Sequence, residues 1–294
     1  MVPSQPTLGP TSPAGEPPVT PLPQMRLGPH SLSRLILGSN PINGGSHLSG
    51  FVNRQMRAYF TPENTMALLR RCQEVGINTW QAGGDNIRIR QQFREAGGEM
   101  HYLSLAHDDP DRPGSVEELA RGGALGVIHH GEVTDSLFKA GRLDEAREFL
   151  RRVRDTGVQV GVSTHMPAVI ETIEERGWDV DFYLTCVYER HRTREELKAL
   201  LGAVPIPERE VYLEEDPPRM WAAMRQTAKP CLAFKILAAG RLCETPEQVA
   251  QAFESTLTHI KPTDGVIVGM YPEYSDQPAE NAELTRRFGA PRPA

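Results

Sequence analysis

Apolar runs alternate with amphipathic segments along the chain, from about residue 34 to residue 288. Most runs are continuously hydrophobic, which is typical of strands in a parallel sheet that is covered on both faces. They predict eight strands, at residues 34–40, 77–83, 99–107, 124–130, 158–165, 180–189, 230–237 and 265–271. The pattern therefore favours an α/β protein.

Segments with helical spacing of apolar residues follow most of these strands. They predict helices at residues 59–76, 115–123, 143–157, 167–177, 216–228, 246–260 and 278–288. The first has clear ends, because Thr61 suits an N-cap, Pro62 suits the first helical position and Gly76 suits a stop. Eight strands, seven of which are followed by a predicted helix, predict a (β/α)8 TIM barrel. An open, doubly wound sheet is the alternative, but "LGSNPINGG" after the first strand is not a GxGxxG turn.

The first 25 residues differ from the rest in composition, since they hold eight of the 25 prolines. They lack the basic start and apolar core of a secretory signal. We therefore predict a Pro-rich disordered tail at residues 1–25 and a single barrel domain at residues 26–294.

Charge and cysteine usage limit the partners. The net charge is −6 with no basic block, which argues against nucleic acid, and no apolar stretch is long enough to span a membrane. The four cysteines lack CxxC spacing and are typical of reduced thiols in a cytoplasmic protein; they are Cys72, Cys186, Cys231 and Cys243. The expected partner is a small-molecule substrate, and a homo-oligomer stays open.

Three consecutive predicted strands end in histidine, at His107, His129 and His165. In a TIM barrel the active site lies at the C-terminal ends of the strands, and imidazole is a common metal ligand. The placement predicts a divalent metal site for Zn, Mn or Fe. The candidates for a fourth ligand are Glu189, Asp108 and Cys186. A single strand-end histidine is more often a hydrogen-bonded structural residue or a substrate contact than a metal ligand, and a site of two histidines and a carboxylate is another version.

Lys235 lies inside the apolar segment "CLAFKIL", where a lysine is rare. Burial lowers the pKa of a lysine, so Lys235 is a candidate base or Schiff-base nucleophile. A substrate anchor and a structural ion pair remain as alternatives. Strand alternation places Lys235 on the face of Ala233, which we expect to be the barrel mouth. Glu189 and Asp85 are further candidates for acid–base catalysis.

Several segments resemble the aldo-keto reductases. "EVGINTWQAGGDN" is similar to their second-strand motif, "LGVIHH" to the strand that ends in their catalytic histidine, and "GVQVGVSTH" to their fifth strand. "LTCVY", "PCLAFKILAAGRL" and "VIVGMYPEYSDQPAENAEL" resemble the sixth, seventh and eighth strands in the same order. The resemblance implies a TIM barrel that binds NADP.

The catalytic residues of that family transfer only in part. The resemblance makes His129 the retained catalytic histidine, Tyr188 the residue that stacks on nicotinamide, and Ser163 a contact to its amide. The family's catalytic Asp falls on Gln81, and its Tyr, Lys and phosphate-binding residues have no counterpart. NADP binding is therefore less expected than metal binding.

The sequence leads to three hypotheses. The favoured one is a metal-dependent isomerase, lyase or hydrolase that acts on a small polar substrate, such as a carbohydrate or hydroxy-carbonyl compound. The second is a divergent NADP-dependent oxidoreductase. The third is a non-catalytic binding protein on a reductase-like barrel.

Overall fold

The computed structural model describes residues 20–106 and 114–290. The strands within them are β1 Gln24–Leu27, β2 His30–Ser33, β3 Leu35–Gly38, β4 Thr79–Gly83, β5 His101–Leu105, β6 Gly126–His129, β7 Gln159–Thr164, β8 Phe182–Cys186, β9 Cys231–Phe234 and β10 Gly265–Gly269. Strands β3 to β10 pair in parallel, and β10 pairs with β3 to close the barrel. The predicted (β/α)8 TIM barrel is confirmed.

Helices surround the barrel. They are α1 Gly50–Tyr59, α2 Pro62–Glu74, α3 Ile87–Glu95, α4 Val116–Arg121, α5 Gly131–Lys139, α6 Ala146–Asp155, α7 Pro167–Glu175, α8 Arg194–Leu201, α9 Asp216–Gln226, α10 Pro246–His259 and α11 Gln277–Gly289. Helix α2 begins as predicted, because the Thr61 side chain accepts a hydrogen bond from the Asn64 amide. None of the described helices is both long and apolar enough to cross a membrane.

The strands separate two apolar cores, because successive side chains point to opposite faces. Outward-facing residues such as Val127 and Ala233 pack with the helices in the larger core. Inward-facing residues fill the barrel; they include Ile36, Leu103, Ile128, Leu184, Leu232 and Ile267. The barrel interior is therefore a packed core, and an active site can form only at an end of the barrel.

The hairpin of β1 and β2 closes the N-terminal end of the barrel. Its residues Met25, Leu27 and Leu32 are buried in the same core as the inward-facing strand residues. Part of the predicted tail, residues 1–19, lies outside the described residues. The remainder joins the fold, since Leu22 and Met25 are both buried.

Arg34, just before β3, ties the start of the barrel to its end. Its guanidinium is buried and donates hydrogen bonds to three carbonyl oxygens, those of Asp264 (2.7 Å), Gly289 (2.5 Å) and Lys261 (3.0 Å). These acceptors satisfy the charge that burial takes out of water.

Candidate active site

The C-terminal end of the barrel, here called the mouth, carries strained backbone. Within the described residues, four that are not glycine have a positive φ: His47 (58°), Lys235 (61°), Ala238 (46°) and Ala239 (52°). They lie in the two loops that follow β3 and β9, and these loops touch where Arg241 donates a hydrogen bond to the His47 carbonyl (3.2 Å). Such strain is unfavourable for residues with a Cβ and is concentrated in proteins at functional sites.

Lys235 follows β9 and is the central cation of the mouth. Its side chain lies beside the Phe234 ring (5.8 Å to the centroid) and makes no hydrogen bond or ion pair within the described part of the chain. Burial lowers the pKa of Lys235, and the nearby Arg190 guanidinium lowers it further, against the opposing effects of Cys186, Glu210 and Glu132. The amine is therefore easier to deprotonate than an exposed lysine.

The route by which Lys235 reaches the mouth differs from the prediction. Ala233 packs in the outer core, so alternation along β9 would direct Lys235 toward the helices. The strand instead ends at Phe234, and the left-handed φ at Lys235 turns the chain. The ammonium consequently lies near enough to His47 and His165 to lower the pKa of both.

Glu210 is held by three side chains on one edge of the mouth. His47 Nδ1 lies 3.0 Å and Arg190 2.5 Å from its Oε1, and the Tyr212 hydroxyl donates to its Oε2 at 2.9 Å. Burial raises the pKa of Glu210, but Arg190, Tyr212 and His47 together outweigh that effect and lower it. Glu210 is therefore a carboxylate in contact with a histidine, which is an arrangement suited to proton transfer.

His165 follows β7 and is bound to Asp135 of α5. Asp135 accepts hydrogen bonds from His165 Nδ1 (2.8 Å), from the His165 amide (3.0 Å) and from the Thr164 hydroxyl. Burial lowers the pKa of His165 well below its ordinary value, with Lys235 adding to the effect, so the ring is neutral. Its orientation is fixed by a carboxylate that is itself buried.

Helix α5 can approach His165 only because it begins with glycine. A Cβ on Gly131 would lie 2.9 Å from the Ser163 Oγ and 3.3 Å from His165 Cε1. The close approach brings Glu132, the next residue, to the mouth. His191, from the loop after β8, completes a group in which ligand atoms of Glu132, His165 and His191 all lie within 4.8 Å of one another.

Of the three predicted metal ligands, His165 alone is in this group. His107 lies outside the described residues, as does Asp108. His129 is buried, with Nδ1 2.7 Å from the Thr134 hydroxyl and its ring 4.9 Å from that of Phe149 in the helix layer. A metal site formed by His107, His129 and His165 therefore stays a prediction. In the structure, His129 packs against α5 and α6.

The other predicted residues are spread around the mouth. Glu189 forms ion pairs with Arg219 (2.7 Å) and Arg192 (3.6 Å). Asp85 is exposed in the turn after β4. Tyr188 is buried with its ring 5.1 Å from that of Tyr212. Ser163 is buried as well. Burial raises the pKa of the Cys186 thiol to about 11.

The sequence did not lead to several residues of the site, among them Glu132, Arg190, His191 and Glu210. They lie in α5, in the loop after β8 or in the connection between α8 and α9, and not at the end of a predicted strand or inside an apolar run. Their signal was local: "YERHR" and "PEREVYLEED" concentrate charge after a buried strand. Dense charge near a barrel mouth is an indication of function that could have been used.

Comparisons with known proteins identify the fold. No protein-family model and no curated protein sequence matches the chain. Among solved structures, the chain is similar to a truncated 3-deoxy-D-arabino-heptulosonate 7-phosphate synthase from Thermotoga maritima, with TM-score 0.52, 13% identity and 91% of each chain covered. A 3-hexulose-6-phosphate synthase from Salmonella typhimurium matches with TM-score 0.47 and 15% identity, over 86% of this chain and 97% of that one.

The first of these structures is a TIM barrel of a 3-deoxy-D-arabino-heptulosonate 7-phosphate synthase and not of an aldo-keto reductase, so the family resemblance given above is wrong. The physical reason is that its segments were mostly short apolar strands followed by small residues. Any (β/α)8 barrel requires such strands in this order, so they report the fold and not the chemistry. The NADP contacts implied for Tyr188 and Ser163 lose their basis with the resemblance.

Proposed function

We propose that the chain is a lyase that cleaves or forms a carbon–carbon bond in a small, polyhydroxylated carbonyl compound, with the Lys235 amine forming a Schiff base. The observation that carries this proposal is the half-buried Lys235 amine, which has no hydrogen bond or ion pair among the described residues. A structural lysine in the same position would be held by a carboxylate, as Lys229 is by Glu174 at 2.5 Å.

Burial favours the neutral amine, which is the nucleophilic form. It attacks the carbonyl carbon, and the adduct loses water to give an iminium ion. The iminium accepts the electron pair of the neighbouring carbon–carbon bond as that bond breaks, and a base takes the proton of the adjacent hydroxyl group. An aldehyde leaves, and protonation and hydrolysis of the remaining enamine restore the amine and release the second product.

Glu210 and His47 are the candidate acid–base pair for these proton transfers. Both interact electrostatically with Lys235, and they contact each other at 3.0 Å. Arg190 and Tyr212 favour the ionised form of Glu210, which can accept a proton. The likeness to solved structures contributes the fold alone to this proposal.

Borohydride trapping tests the proposal directly. The full chain is incubated near pH 7 with dihydroxyacetone or glyceraldehyde, hydride is added to reduce any iminium to a secondary amine, and peptides are examined by mass spectrometry. The chain has only five lysines, so each can be followed. We expect the adduct on Lys235, and none on Lys229, its ion-paired counterpart.

The Lys235→Met variant is the matched control, and it should lose the adduct while remaining folded. Equal modification of all five lysines, or an undiminished adduct in Lys235→Met, would show that the amine is not selectively reactive and would refute the Schiff-base role.

A further inference from the structure

Glu132, His165 and His191 come from three different segments and converge at the mouth. We propose that they bind a divalent transition-metal ion. Two imidazole nitrogens and one carboxylate oxygen are a ligand set that suits Zn²⁺ and Fe²⁺, and three protein ligands leave positions open for water or substrate. Their ligand atoms lie within 4.8 Å of one another.

His191 supplies the second, independent observation. Its Nε2 atom is buried and has no hydrogen bond within the described part of the chain. It nevertheless lies 3.4 Å from the Glu132 Oε2 and 3.4 Å from the Asp135 Oδ2. A buried nitrogen that faces carboxylates without a hydrogen bond is unfavourable, and a cation between His191 and Glu132 would satisfy both groups.

Asp135 positions His165 for this role. Because His165 Nδ1 is bonded to Asp135 at 2.8 Å, the other ring nitrogen is left to bind an ion. Carboxylates orient metal-binding histidines in this way in many metalloproteins.

The site stands on its own residues and does not require the proposed Schiff base. Lys235 interacts electrostatically with Glu132 and His165, so a bound ion and the amine would face the same substrate. An ion with open positions could hold the oxygens of a hydroxy-carbonyl compound next to the amine.

The test uses the full chain without an affinity tag, stripped with chelator and titrated with Co²⁺ and Zn²⁺. Calorimetry should give one ion per chain, and Co²⁺ should show the visible absorption of nitrogen and oxygen ligation. His191→Gln and Glu132→Gln should each weaken binding by at least ~10-fold. Asp135→Asn should shift the Co²⁺ spectrum and weaken binding, with an unchanged far-ultraviolet circular dichroism spectrum.

His30→Gln is the control, because His30 and His101 form another close histidine pair, with ring centroids 5.4 Å apart. It should bind metal like the wild type. Equal affinity in wild type and His191→Gln, or loss of binding only in His30→Gln, would overturn the proposal. Lys235→Met should keep the Co²⁺ spectrum, and borohydride trapping in chelated protein reports on the amine alone, so the two proposals can fail separately.

Discussion

Two cations lie at opposite ends of the same barrel, Arg34 buried and Lys235 half-buried, and their surroundings differ. Arg34, at the closed end, donates hydrogen bonds to three carbonyl oxygens. Lys235, at the mouth, has no such partner among the described residues and sits on left-handed backbone. Burial lowers the pKa of both, but only Arg34 receives compensation in hydrogen bonds.

The different surroundings of Arg34 and Lys235 indicate that the closed end of the barrel contributes to stability and the mouth to function. The closed end is filled by apolar hairpin residues and its charge is satisfied, so it contributes to holding the barrel together. The mouth combines strain with an uncompensated charge, and both reduce stability. A fold retains such features where a ligand or substrate uses them.

Replacing Arg34 should have the largest effect on stability. Arg34→Met leaves three carbonyl oxygens without their buried donor, and we expect a loss of about 3 kcal/mol or more in the free energy of unfolding. Urea-induced unfolding measures it. Arg26→Met, at an exposed position of the β1–β2 hairpin, should change stability by less than ~0.5 kcal/mol. If the two variants proved equally stable, the bonds of Arg34 would not be structural.

Replacing Lys235 should raise the free energy of unfolding instead of lowering it. Lys235→Met removes a half-buried charge that has no hydrogen-bond or ion-pair partner among the described residues, and we expect a gain of about 1 kcal/mol at pH 7. Lys229→Met should instead lose stability, because it removes the partner of Glu174. The same sign of change in both variants would contradict the distinction drawn between a structural and a functional lysine.

The gain in Lys235→Met should depend on pH. The pKa of Lys235 is lower in the folded state than the ordinary 10.5 of the unfolded chain. Between these two values the unfolded state binds more protons, so wild-type stability rises with pH there. The advantage of the variant should thus be full below the folded-state pKa and disappear as pH rises to about 10.5. An advantage that is constant up to pH 10.5 would mean that charge is not its cause.

A substitution in the strained loop after β9 should have the smallest effect on the free energy of unfolding. Ala239 has a φ of 52°, so Ala239→Gly relieves strain but adds freedom to the unfolded chain, and we expect a net change within ~0.5 kcal/mol. Ala58→Gly, at an exposed position of α1, has no strain to relieve and should lose about 0.5–1 kcal/mol. A larger loss in Ala239→Gly than in Ala58→Gly would show that the loop is not strained.

The barrel was predictable because its strands are continuous apolar runs and helices such as α2 carry explicit caps. The hairpin was not, because Pro-rich composition marked residues 20–25 as tail although Met25 enters the core. Helix α5 was also missed. It starts directly after β6, with His130 capping it through a bond from the Glu132 amide (3.2 Å), so no loop separates the two elements in the sequence.

The sequence singled out residues of the mouth only at the end of a predicted strand or inside an apolar run. It indicated His165 by the first criterion and Lys235 by the second, and the roles of both stay predictions. Glu132, His191 and Glu210 were not indicated, because their positions depend on helix approach and loop folding. His129 shows the converse, since a strand-end histidine on the outward face packs against helices. Which face a terminal strand residue occupies depends on register, and register is set by the whole barrel.

Arg34 also determines when the barrel can form. Its three acceptors lie 227, 230 and 255 residues further along the chain. A growing polypeptide that has not yet reached residue 289 would have to bury a guanidinium with incomplete hydrogen bonding, so closure of the first strand against the last is expected late in folding. Contacts of such high sequence separation slow folding and make it cooperative. We therefore expect half-barrel fragments of this chain to remain unfolded on their own, with assembly as a single concerted event.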